Sequence, residues 1–154
     1  TICEANAKSI VEYLPADYVV SGFDAVEPGG TDFYMNSIGK VGICIECGYL
    51  DNLESVDIAK KSVFAFLKAR NHIKNDLSSR NQSHIRIYDL YKTKTEKFIL
   101  SKHFDDFEAL SKGQSIGRDG GEEIFARKES VILFARNRDR AGEEAFLLGE
   151  SKVA

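Results

Sequence analysis

The chain has 154 residues, 43% of them hydrophobic and 29% charged, with a formal net charge of -3. That is enough for one ordinary soluble domain or two very small ones, each with a core. The weakly acidic balance supplies no broad basic field, which argues against nucleic acid or a membrane surface as partner, and no apolar run is long enough to span a bilayer.

Three cysteines, without the basic, apolar and small-residue succession of a signal peptide, point to reduced thiols and a cytoplasmic protein. The chain opens at Thr1 in what reads as a helix, so a fragment of a longer protein is expected. From Ile2 to Leu14 the apolar positions Ile2, Ala5, Ile10, Val11 and Leu14 recur at helical spacing, with Thr1 as a cap and Pro15 as a stop. Tyr18–Gly22 is short, β-branched and aromatic, which predicts a strand, and Glu27-Pro28-Gly29-Gly30 forces a loop. Thr31 can cap a short helix through Ser37 that Gly39 closes. The run Val41–Gly48 reads as a strand buried on both faces, with Gly42, Cys44, Glu46 and Gly48 on one of them. Asp51 and Glu54 resemble a capping box. The stripe Leu53, Val56, Ala59, Val63, Phe66, Leu67 and Arg70 then predicts an amphipathic helix to about His72.

Residues 75–83 are polar and aperiodic and read as a linker between a first part, 1–74, and a second, 84–154. Beyond the linker, short strands are predicted at Ile85–Tyr91, Phe98–Leu100, Glu123–Ala126, Val131–Ala135 and Ala145–Leu148, separated by glycine turns. The fold class expected is therefore α/β followed by a small all-β sandwich or barrel.

Glu46 is the anomaly of the apolar run. A carboxylate there is costly to bury unless it is paired, bound to a metal or kept as a proton acceptor, which marks it as a catalytic candidate. Cys44 and Cys47 form a C-x-x-C, but residues three apart on a strand point to opposite faces, so a shared metal or disulfide is disfavoured and a core role expected. His72, His84 and His103 begin no metal motif; His103 with Asp106 reads as a solvated turn rather than a metal pair. Asp105-Asp106 and the cluster Arg136–Arg140 read as solvated loop charges. Nucleophile-elbow, Walker and dinucleotide motifs are absent from the sequence.

The segment Thr31–Gly48, followed by the long helix and a β-rich tail ending Gly142-Glu143-Glu144-Ala145-Phe146-Leu147-Leu148-Gly149, resembles the C-terminal half of the succinylglutamate desuccinylase/aspartoacylase family, which belongs to the zinc carboxypeptidase-like hydrolases. The resemblance implies deacylation of an N-acyl amino acid or related amide. Zinc in the complete parent enzyme would be held by a His-x-x-Glu pair and a later histidine. The glutamate matched by Glu46 in Ile45-Glu46-Cys47-Gly48 would take a proton from the attacking water and pass it to the leaving amine. The family's metal ligands lie N-terminal to the matched segment, so no metal site is expected in this chain alone, which should be inactive without the missing N-terminal half. Where aspartoacylase-like members carry a carboxylate-clamping arginine, ten residues before the glutamate, this chain has Asn36. Asparagine can bind substrate through hydrogen bonds but cannot form the charged bidentate pair.

The second half also resembles lipoyl and biotinyl carrier domains, which gives a non-catalytic binding or assembly module as the alternative. The comparable turn, Arg118-Asp119-Gly120-Gly121, lacks the modifiable lysine. The partners expected are a small N-acyl substrate, the missing half of the catalytic domain and, through a dimer contact, a second copy as homo-oligomer.

Overall fold

A computed structural model describes residues 2–3, 7–74 and 76–152. It is a mixed α and β structure that divides into two compact units: residues up to Asp24 with Pro28–His84, and Ala25–Glu27 with the chain from Ile85 onward.

The first unit contains β1 (Ile2–Cys3), α1 (Lys8–Val11), β2 (Tyr18–Ser21), the start of a helical turn α2 (Phe23–Val26), α3 (Thr31–Ser37), β3 (Ile43–Cys44) and α4 (Leu53–Ala69). β1 lies between the other two strands, parallel to β2 and antiparallel to β3, with Ile2 opposite both Val20 and Cys44. The core gathers Ala7, Val11, Leu14, Val19 and Ala65, with Ile43, Ile45 and Phe66 packed against it.

Several expectations change here. The helix predicted over Ile2–Leu14 is confined to Lys8–Val11; Ile2–Cys3 is a strand, and the Thr1 cap and Ala5 lie outside the described residues. Beyond α1 the bonds are turn-like, Tyr13 N–H to the carbonyl of Ile10 and Leu14 N–H to that of Val11, so Ile10 and Val11 enter the core from a short helix and Leu14 from a tight turn. The strand predicted over Val41–Gly48 shortens to Ile43–Cys44, and no residue of Val41–Cys47 is fully buried. Among the described residues β1 is the strand that pairs with β3, which stands at the end of the strand order.

α3 begins at Thr31 with Gly30, not Thr31, at the cap position. α4 is capped by Asn52, whose Oδ1 accepts from Glu54 N–H at 2.9 Å, one residue later than the predicted box. It ends at Ala69. Asn71 then adopts a left-handed φ of 58°, and the Asn71 and His72 N–H groups donate to the carbonyls of Lys68 and Leu67. The predicted apolar stripe coincides only in part with the face it buries: Phe66 of the stripe packs against the core. Ser62 and Ala65 are buried, while Leu53, Val56 and Val63 are exposed. Small side chains allow the helix to lie close to the core, and the Ser62 hydroxyl is satisfied within the helix by the carbonyl of Ile58.

Residues 76–82 form no regular element, yet they are bonded to the first unit: Arg80 N–H donates to the carbonyl of Glu12, and the Gln82 amide reaches those of Val11, Leu14 and Ala16. Beyond them come β4 (Ser83–Lys92), β5 (Phe98–Leu100), β6 (Glu108–Leu110), β7 (Ser115–Asp119), β8 (Glu122–Phe125), β9 (Ser130–Leu133) and β10 (Glu144–Lys152). Strand neighbours run β4-β10-β9-β6 in one sheet and β5-β7-β8 in a smaller one. Phe98, Phe104, Leu110, Ile116, Ile132 and Phe146 fill the core, with Tyr91 stacked on Phe146 at 5.0 Å between ring centres. β6 escapes sequence reading because Glu108-Ala109-Leu110 has no β-branched or aromatic residue, and β7 because Gly117 and Arg118 interrupt its alternation. The strand predicted to Ala135 stops at Leu133, since Phe134 turns to φ 55° and donates its N–H to Asp106 Oδ1 at 2.7 Å.

Asp119, at the end of β7, is 3% exposed. Its Oδ2 accepts from Tyr91 OH at 2.8 Å and Lys94 N–H at 2.7 Å; its Oδ1 accepts from Thr95 N–H at 3.1 Å and Thr95 OH at 2.6 Å. Burial alone would push its pKa up, but these donors outweigh it and hold the carboxyl below its usual range. A carboxylate with a depressed folded pKa stabilises the fold above the unfolded pKa of about 4 and loses that contribution as pH falls through the lower folded value. Asp119→Asn should therefore cost about 1–3 kcal/mol in urea unfolding at pH 7, with the gap to the parent narrowing below about pH 4. A gap independent of pH would mean that the charge contributes nothing.

Candidate functional site

The site is built where α3, β3 and α4 of the first unit meet. Gly29-Gly30 opens α3, and its exit is fixed by Gly39, at φ 73°, whose N–H donates to the carbonyl of Asn36 while Lys40 N–H donates to that of Met35. This double bond pattern turns the chain back along the helix it has just left. The returning strand then passes α3 at Gly42, where a β-carbon would stand 2.5 Å from the Cα of Asp32. Only glycine permits that approach. Asn36 reinforces it: its Nδ2 donates to the carbonyl of Asp32 at 2.8 Å and to that of Gly42 at 3.4 Å.

After β3 the chain runs through Ile45, Glu46 and Cys47 to Gly48, at φ 110°, and enters the α4 cap. Ser55 fastens this corner through its hydroxyl bond to the carbonyl of Tyr49 at 2.8 Å. An open groove of about 730 Å³ results, lined among others by Asp32, Met35, Gly42, Cys44, Cys47 and Phe66.

Glu46 is exposed and stands beside this groove, not among its lining residues. Its Oε1 is 4.0 Å from the Cys44 thiol. Cys44 and Cys47 are free thiols, and both line the groove, because the strand ends at Cys44 and no longer sends its third residue to the opposite side. Burial, then the charges of Glu46 and Asp32, push the Cys44 thiol above its usual pKa, so it stays protonated and unreactive at neutral pH. Burial and then Asp32 raise Asp24. Sequence reading singled out neither Asp32 nor the groove; the available signal was the glycine pair preceding Thr31-Asp32.

His72, His84 and His103 are all exposed. His103 approaches Asp105 at 3.3 Å rather than Asp106, which is engaged by Phe134. Among the described residues no group of three or more His, Cys, Asp or Glu side chains could hold a metal ion. Nor is any described helix long and apolar enough to cross a membrane.

Neither a protein-family model nor a curated protein matches the sequence. Solved structures do. Succinylglutamate desuccinylase from Vibrio parahaemolyticus matches with a TM-score of 0.68 at 13% identity over 98% of this chain and 47% of its own. A succinylglutamate desuccinylase/aspartoacylase from Rhodobacter sphaeroides matches at 0.67 and 16% identity, over 96% and 50%. The chain shares the fold of these proteins. The ectoine utilization protein EutE (DoeB) of Ruegeria pomeroyi has it too, with a TM-score of 0.67 at 19% identity over 96% of this chain and 52% of its own. The resemblance read from Thr31–Gly48 and the β-rich tail therefore stands as a likeness of fold. This chain spans about half the length of the desuccinylase structures it matches, which is consistent with a C-terminal half.

The tight passage at residue 42 can be tested. Gly42→Ala should lower stability by about 1–3 kcal/mol in urea unfolding, because the added carbon meets backbone that cannot swing aside. Gly121→Ala, where nothing lies within 4 Å, should stay within about 0.5 kcal/mol of the parent. Equal tolerance at both positions would show that α3 and the strand separate freely.

Proposed function

We propose that this chain is the C-terminal portion of a zinc-dependent hydrolase that deacylates N-acyl amino acids or related amides in the cytoplasm. It would comprise the end of a zinc-carboxypeptidase-like α/β domain followed by a small β sandwich or barrel. The observation that carries the reading is the match of nearly the whole chain to half of several desuccinylase-type structures. Glu46 supports it: an exposed acid at the end of a glycine-framed strand beside an open groove is reachable by a small substrate.

In this reading Glu46 is the proton shuttle, accepting a proton from the attacking water and returning it to the nitrogen of the leaving amine. Zinc would be held by residues outside this chain. Asn36 would hydrogen-bond the substrate by releasing its longer bond, the one to the carbonyl of Gly42. Without an arginine at that position the pocket would favour acyl-amino acids bound through neutral hydrogen bonds over those needing a paired carboxylate.

Glu46→Gln in the complete polypeptide should lower kcat on an N-acyl amino acid by about a hundredfold or more, with zinc content unchanged. Unchanged turnover would remove Glu46 from the mechanism. Failure of the zinc-loaded parent to hydrolyse any of a panel of N-acyl amino acids would overturn the reading itself.

A further inference from the structure

α4 is apolar on two opposite sides. One side, carrying Ser62 and Ala65, is buried in the first unit; the other carries Leu53, Val56, Val63 and Phe64, exposed by 86%, 53%, 59% and 57%. The outward side also holds the exposed Asp57 and Lys60, yet leaving its four large apolar residues in water forfeits the burial they could give. The exposure is concentrated. Eleven of the fourteen large exposed hydrophobic residues described fall in the first unit, from Tyr18 to Ile73, and only Ile99, Phe125 and Phe134 in the second. The same unit ends its sheet with β3, and its groove, which Val63 also lines, opens beside the outward side of α4.

We infer that the outward side of α4, through Leu53, Val56, Val63 and Phe64, is the surface on which the remaining half of the α/β domain packs. The occupant is a folded polypeptide with an apolar face of its own. The inference rests on the proposed reading of this chain as part of a longer hydrolase. The matched desuccinylase structures favour that occupant over a second copy, because each contains within one chain about as much polypeptide again as this chain supplies.

The test is covalent side-chain footprinting of the native protein from its source cells, with its intact mass measured in parallel. Loss of labelling at Leu53, Val56, Val63 and Phe64, while Ile99 and Phe125 stay labelled, in a polypeptide of about twice this chain's length is the expected result. Labelling of the four as full as that of Ile99 would overturn the inference. So would shielding that disappears on dilution of a protein whose chain is no longer than this one, since the occupant would then be a second copy. Val63→Asp in the complete protein should abolish the shielding or the soluble fold, and Val63→Leu should preserve both. The assay on N-acyl amino acids is read separately: shielding without hydrolysis retires the deacylase and keeps the interface, and hydrolysis without shielding does the reverse.

Discussion

No side chain fits between the backbone at residue 42 and the backbone of Asp32, and the arrangement of the first unit around its groove depends on that contact. Because the two segments touch directly, α3 and the stretch leading into β3 move as one piece. Asn36 ties them with its amide, and the turn at Gly39 leaves no slack between them. Asp32 is thereby held near Cys44; burial, with the charges of Glu46 and Asp32, keeps that thiol protonated. The groove owes its floor to packing between backbones. Its chemistry comes from acids at its margin.

The elements legible in the sequence are those punctuated by residues with special backbone freedom. Thr31–Ser37 is a helix as expected because glycines stand at both ends and nothing tertiary opposes it. Val41–Gly48 illustrates the opposite case. An apolar run reads as a strand buried on both faces whether or not a neighbour is present to pair with it, and among the described residues the pairing covers Ile43–Cys44. The existence of α4 could be read from its periodicity, but not which side it buries. Large apolar residues advertise a face more loudly than Ser62 and Ala65, and the small pair won because it allows closer approach. Glu46 was visible as one acid in an apolar run, whereas Asp32 has no such contrast around it and became part of the site through folding alone.

The second unit is held by different means. Phe98, Phe146 and Tyr91 form a connected aromatic set, with ring centres 5.0–5.9 Å apart, and Tyr91 sends its hydroxyl out of that set to Asp119. A half-buried ring and the buried charge of Asp119 are thus joined by one hydroxyl. Burial, together with the hydroxyl bond to the carboxylate, makes Tyr91 much harder to ionise, so it remains a donor over the whole physiological range. Short strands such as β6, with little pattern of their own, are ordered by such neighbours, which is why their positions are legible in three dimensions and not in one.

Gln82 has two amide hydrogens directed at three carbonyls, those of Val11, Leu14 and Ala16, while Arg80 and Ser83 bond through their backbone N–H groups to Glu12 and Asp17. The stretch between α4 and β4 is therefore laced down like a strap across the turns that follow α1. Tension applied along the chain there would be borne as shear by several hydrogen bonds in parallel, so the first unit would resist a pull from its C-terminal side that a slack tether would simply transmit by straightening.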